Sequence, residues 1–242
     1  IFCEDTRVTK KLLNLLGERN NLDFSNKEYK SFHSHNEDKI LKTLTKETFT
    51  KNVVYVSDAG MPCVSDPGAT LVEFCIQNEI PYDVLPGANA ILTAYAMSGF
   101  AHTTFSFYGF LDHKGVSRAS KLDDILNDDK LSILYESPHR LLKLLEELSI
   151  KDANRTIFLA KEITKLHQNS YKDTSLNLFE KFKDINIRGE WVVIIEPKET
   201  IGFNLDLDDI LSLDIAPKIK AKLIAKMTGQ SIKDVYQKLL EN

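Results

Sequence analysis

The chain has 242 residues, a formal net charge of −4 and a pI near 5.9. A binder that holds nucleic acid by charge alone is usually basic, so any RNA contact here must come from a local patch or a shaped site. The 43% hydrophobic and 27% charged composition is globular. There is no run of about 18 apolar residues and no signal-peptide pattern, and Cys3, Cys63 and Cys75 are odd in number without CxxC spacing, which argues for reduced thiols in a cytoplasmic setting.

In chain order, the opening IFCEDTR reads as the end of a hydrophobic strand entered midway, with Asp5 a candidate cap for the helix after it. NVVYVS (52–57) is a strand, and it ends in the loop SDAGMPCVSDPG (57–68). ATLVEFCIQN (69–78) places Leu71, Val72, Phe74 and Cys75 on one helical stripe. A strand is expected at IPYDVLPG (80–87), then an apolar helix at ANAILTAYAMSG (88–99) closed by Gly99. FSFYGF (105–110) reads as a strand with its phenylalanines in the core, and 113–130 as a polar helical bridge. Strands follow at 131–137, 155–162 and 190–197, with an extra β-segment at 165–173. Ser137 precedes the helix Pro138–Leu148, which carries Leu141, Leu142, Leu144, Leu145 and Leu148. Two helices fill the Lys-rich tail around 216–229 and 230–240, where Ile219, Leu223, Ile224 and Met227 form an apolar stripe. Strands alternating with helices make an α/β protein, mostly parallel in its first half.

The loop 57–68 holds two turn clusters where one would reverse the chain. In open α/β sheets, ligands sit beyond the carboxyl ends of strands. Gly60 and Gly68 let backbone approach a ligand, and Asp58 can accept hydrogen bonds from ribose-like hydroxyls. VLPGANA (84–90) also follows a strand and opens a helix, so the two loops suggest one shared pocket. GxxxxGK[ST], GxGxxG, HExxH and GxSxG are all absent, and no metal is expected. His33 and His35 form a close pair without evident partner ligands, and Ser65-Asp66 gives only a weak hydrolase reading.

These segments together are similar to a known family. CEDTRVTKKLL (3–13), FHSHNE (32–37), SDAGMPCVSDPG (57–68), LPGANAILTA (85–94), FYGFLDHKGVSR (107–118), YESPHRLLKLL (135–145), AKEITKLH (160–167) and RGEW (188–191) occur in that order. They resemble the tetrapyrrole methylase superfamily, and within it the bacterial small-subunit ribosomal RNA (cytidine-2′-O)-methyltransferase I family. The resemblance implies a two-domain α/β fold with S-adenosylmethionine (SAM) in a cleft between the domains, plus a helical C-terminal tail. The expected divisions are 1–111, 112–200 and 201–242. It also implies a homodimer and a cytidine of the decoding region as methyl acceptor, in free RNA or in the 30S particle, with no membrane partner. The family's TPIGNL-type loop has no counterpart in these residues, Asp112 stands where the family has proline, and Met61 and Cys63 stand where smaller residues are common.

By position within the motifs, the resemblance assigns cofactor contacts to Ser57, Asp58, Ala59, Gly60, Met61, Asn89, Ala90, Tyr135, Glu136, Ala160, Glu162 and Thr164. Transfer to a 2′-oxygen needs alignment and a proton acceptor, and Asp5 and Glu4 at a strand end are the candidate catalytic carboxylates. Arg7, Lys10, Lys11, Lys114, Arg118, Arg140, Lys161 and Lys165 are the candidate RNA contacts. The alternatives are a superfamily relative acting on a small tetrapyrrole or protein side chain, and a non-catalytic binder of SAM or RNA.

Overall fold

A computed structural model describes residues 1–185, 187–198 and 206–241. The chain forms two compact units, residues 1–198 and 199–242.

The first unit opens with a small parallel sheet in the order β2-β1-β3, where β1 is Phe2–Cys3, β2 Lys30–Ser31 and β3 Tyr55–Val56. Its ladders are two residues long, and packing adds to them: the rings of Phe2, Phe32 and Tyr55 meet edge to face over Leu44 and Leu71. Helix α1 (Thr6–Asn20) starts at Asp5, whose carboxylate accepts the Arg7 N–H, and ends at Asn21 in the left-handed conformation. Further on come α2 (Glu37–Leu41), α3 (Ala69–Gln77) and α4 (Ala90–Ser98), the last closed by left-handed Gly99 as expected.

The strand expected at 80–87 does not form. Pro81 and Pro86 carry no N–H for a ladder, and residues 81–88 are exposed chain without regular secondary structure.

A five-stranded sheet holds most of the core. Its order is β4-β5-β8-β6-β7, with β4 Phe105–Phe110, β5 Leu131–Glu136, β6 Thr156–Lys161, β7 Asn169–Thr174 and β8 Trp191–Ile195. β4 pairs parallel with β5, and the other pairings are antiparallel. Alternation of side chains sorts the central strands onto two faces. Leu134, Ile157, Leu159, Val193 and Ile195 pack with α5 (Val116–Asn127), α6 (Pro138–Lys151) and α7 (Ser175–Phe182). Leu131, Ile133, Phe158, Ala160, Val192 and Ile194 pack with Ile91 and Ala94 of α4. Burial on both faces explains why these strands read as unbroken apolar runs.

Phe105–Phe110, grouped by sequence with the first 111 residues, is laddered to Leu131–Tyr135 and so lies in the second sheet. The boundary expected at 200/201 falls outside the described residues.

The described residues of the second unit form three helices, α8 (Leu207–Ser212), α9 (Pro217–Thr228) and α10 (Ile232–Glu241), around Ile210, Ala221, Ile224, Ala225 and Val235. Of the expected tail stripe only Ile224 is in this core; Ile219, Leu223 and Met227 face outward.

Candidate functional site

The tips of β1 and β3 are cross-linked by reciprocal hydrogen bonds. The Asp58 N–H donates to Glu4 Oε2 at 2.8 Å, and the Asp5 N–H donates to Asp58 Oδ1 at 3.3 Å. Parallel strands ending side by side bring the two loops to one place, and the loop hydroxyl of Ser57 turns back to the Ala59 carbonyl.

The second loop arrives beside the first. A Cβ on Gly60 would lie 3.7 Å from the Ala88 carbonyl, and one on Gly87 would lie 3.9 Å from the Gly60 carbonyl. Gly60 has φ +74°, a conformation that favours glycine. Two bent, side-chain-poor backbones therefore lie against each other, with Asp58, Ala59, Gly60, Gly87 and Ala88 all exposed. Met61 is half-buried under this junction. Asn89 is the cap of α4, its side chain accepting the Leu92 N–H at 3.1 Å, and Ala90 packs into the core.

From the second sheet, Gly109 brings β4 close: a Cβ there would sit 3.9 Å from Ser65 Oγ. Tyr135 at the end of β5 lies against Phe107 and Phe110. Phe110 is 54% exposed, so the expectation that this ring sits in the strand core is corrected; it lies at the sheet edge where the β4–β5 register shifts.

Asp66, offered by the sequence only in a weak hydrolase reading, stands apart from the other acids. Its carboxylate makes no hydrogen bond or ion pair among the described residues, and burial, then Glu4, then Asp58 push its pKa up to about 6. Burial chiefly, and Asp66 in part, raise the phenol pKa values of Tyr55 and Tyr135. The Tyr55 hydroxyl is buried without a partner, and the loop between carries Cys63 and Ser65 at positive φ. The signal in the sequence was Pro67-Gly68: Gly68 has φ +125°, and a Cβ there would come 2.5 Å from the Tyr55 ring, so the turn that carries Asp66 is pinned to β3.

The carboxylates first singled out are occupied. Asp5 caps α1 and pairs with Arg7 at 2.5 Å, and that hydrogen bonding holds its pKa down to about 2, unsuited to a base near neutrality. Glu4 accepts the Asp58 N–H through one carboxylate oxygen.

Several motif assignments in the second sheet take other roles. Glu136 is buried, accepts the Ser137 N–H and Arg140, and stands 3.9 Å from Arg118. Its side chain is therefore committed to this ion cluster rather than to a ligand, and burial raises its pKa. Ala160 is fully buried in the core. Glu162 and Thr164 do sit at a strand-end turn, both at positive φ, with Glu162 accepting the Glu190 N–H and Lys165.

Among the basic candidates, Arg118 is corrected outright. It is 3% exposed and bound by Glu147 and the Asp112 carbonyl, so it cannot reach a phosphate. Arg140 is held by Glu136 and the Leu111 carbonyl. Lys165 bridges Glu162 and Glu190, Lys161 lies over Trp191, and Lys10 over Tyr29. Lys11 and Lys114 are exposed. His33 is tied into a turn by Asn36, with its Nδ1 accepting the His35 N–H.

A cavity of about 710 Å³ lies between α2 and α3, lined by Leu41, Lys42, Ala69, Glu73 and Phe74 among others. It contains none of the predicted site residues, and the chemistry-bearing groups gather at the strand tips instead.

Residues 1–178 match the family model of the tetrapyrrole (corrin/porphyrin) methylases. The chain belongs to this family. Within it, the methylase is 44% identical over 242 residues to the ribosomal RNA small subunit methyltransferase I of Campylobacter fetus, covering 99% of this chain and 89% of that one. It is 42% identical over 254 residues to the Helicobacter pylori protein of the same name, with 99% and 88% covered. In fold it is similar to cobalt precorrin-4 methyltransferase CbiF, with TM-score 0.55 and 14% identity over 81% of this chain and 82% of that one. The uroporphyrin-III C-methyltransferase of Thermus thermophilus, solved with S-adenosylhomocysteine, gives 0.50 and 15% over 81% and 84%. This methylase thus keeps the fold of the tetrapyrrole enzymes and the sequence of the ribosomal RNA enzymes.

Proposed function

We propose that this methylase transfers the methyl group of SAM to the 2′-oxygen of a cytidine in the decoding region of small-subunit ribosomal RNA. The observation that carries the reading is the contact between the 57–61 and 86–90 loops, in a chain this similar to the ribosomal RNA enzymes. The residues there fit a sulfonium nucleoside. Asp58 has carboxylate capacity left for ribose hydroxyls, and the Gly60 and Gly87 backbones are open to a flat ligand. Ser57, Ala59, Met61, Asn89 and Ala90 shape that loop pair, and the reading adds Tyr135, Glu162 and Thr164 as contacts from the second sheet. When bound, SAM supplies an electrophilic methyl carbon. Asp66 is the carboxylate left free to take the 2′-hydroxyl proton as the oxygen attacks, a contribution of roughly 10²–10⁴-fold.

The division into domains at 111/112 and 200/201 belongs to the same reading, as do a homodimer and action on RNA in the 30S particle. Val8, Leu12, Leu15 and Leu16 leave an apolar stripe of α1 exposed that a second copy would cover. Work in the cytoplasm belongs to the same reading; the three cysteines are free thiols, and no described helix is long and apolar enough to cross a membrane.

The test is transfer of labelled methyl from SAM to small-subunit ribosomal RNA and to 30S particles, with the product nucleoside identified. 2′-O-methylcytidine is expected. Methylation of a tetrapyrrole or a protein side chain, with no label in RNA, overturns the reading.

A further inference from the structure

The cations near the strand tips are largely spent. Arg7 is on Asp5, Arg118 on Glu147, Arg140 on Glu136, and Lys165 on Glu162 and Glu190. An acidic chain with its site cations paired internally has little left there to attract a polyanion. One row of unspent charge lies in the C-terminal unit.

Helix α9, PKIKAKLIAKMT, contains no acidic residue. Lys218, Lys222 and Lys226 recur every four residues, so they stand on one face about 6 Å apart. All three are exposed and have no hydrogen-bond or ion-pair partner among the described residues. Lys220, on another face, is instead tied to the Leu211 carbonyl. Of the unit's acids, Asp206 and Asp209 form the capping box of α8.

Beside the lysines runs a second stripe, Ile219, Leu223 and Met227, between 40% and 52% exposed. The unit's core is complete without them. Left-handed Gly229, whose N–H returns to the Ala225 carbonyl, ends α9 and sets the turn into α10. The charged face is thus on a helix with a capped C-terminal end.

We propose that the Lys218–Lys222–Lys226 face of α9 grips the sugar–phosphate backbone of small-subunit ribosomal RNA, as an anchoring surface distinct from the methyl-transfer site. Charge complementarity selects the polyanion, and the adjoining apolar stripe suits ribose and base faces. The inference rests on the ribosomal RNA substrate proposed above.

The test compares the full chain with two triple variants, K218E/K222E/K226E and K218R/K222R/K226R. Binding to transcribed small-subunit ribosomal RNA is measured between 50 and 300 mM salt, about the range in which phosphate contacts are resolved. The Glu variant is expected to bind at least about tenfold more weakly at the low-salt end, with the slope of log K against log salt reduced by roughly 2 to 3. The Arg variant should bind as the parent does, and SAM affinity should be the same in all three. An unchanged slope in the Glu variant overturns the proposal and leaves the face to a protein partner. Equal loss in both variants also overturns it, because charge is then not what matters. Failure of the parent chain itself to bind this RNA marks the function reading, not the α9 face, as the error.

Discussion

The two sheets of residues 1–198 are built for different tasks. The five-stranded sheet is covered on both faces, and its central strands are almost wholly buried. The three-stranded sheet has two-residue ladders, and its tips are linked through Glu4, Asp58 and backbone amides. One carries the packing that fixes the fold; the other carries short, bent loops whose backbone is open. The difference teaches that stability and ligand geometry are separable here, and mutations should sort accordingly.

The largest effect expected is on chemistry with no loss of fold. Asp66→Asn should lower kcat by about 10²–10⁴-fold while SAM affinity, by calorimetry, stays near the parent value. The parent rate should climb with pH up to about 6, where Asp66 ionises, and level off above; the variant should lose that limb. Stability moves the opposite way. A folded pKa of about 6 against an ordinary 3.8 means the folded protein binds extra protons between these values, so this group's contribution falls as pH rises through them. Asp66→Asn should therefore melt no lower than the parent at pH 8. A melting loss equal to that of a core variant would break the separation.

Next come losses of fold in the second sheet. Glu136→Ala leaves Arg140 and the buried Arg118 without their shared anion and should cost about 3–5 kcal/mol in denaturant unfolding. Leu145→Ala, at a fully buried position of α6, should cost about 2–5 kcal/mol by the same measurement. If either instead unfolds like the parent, the five-stranded sheet is not the stabilising half.

Smaller effects sharpen the picture at the tips. Asp58→Ala should weaken SAM binding by about tenfold, the loss of a charge-assisted hydrogen bond or two, with little change in melting temperature. Lys161→Ala should change RNA affinity least, because its ammonium already lies over the Trp191 ring.

Much of the second sheet was legible in the sequence because burial on both faces writes itself as continuous apolar runs, as in WVVII. Helix ends were legible where a residue type does one job, as Gly99 does at φ +64°. IPYDVLPG misled because β-branched and aromatic residues suggest a strand, while two prolines remove the donors a ladder needs. The site was legible as backbone and not as chemistry. Glycine and proline spacing located the two loops, but which carboxylate is free depends on who pairs with whom in space. Asp5 and Glu4 looked available and are engaged; Asp66 looked like a turn residue only, and its carboxylate is left unpaired among the described residues. Arg118 had the same fault in reverse, a charge that reads as surface and is buried against Glu147.

Hydrogen exchange of the full chain, with and without saturating SAM, tests the central claim most directly. Both strand-tip segments, 57–61 and 86–90, should slow together on SAM addition, with the α2–α3 region around the 710 Å³ cavity unaffected. Protection of only one of the two loops, or protection centred on that cavity, would contradict the account.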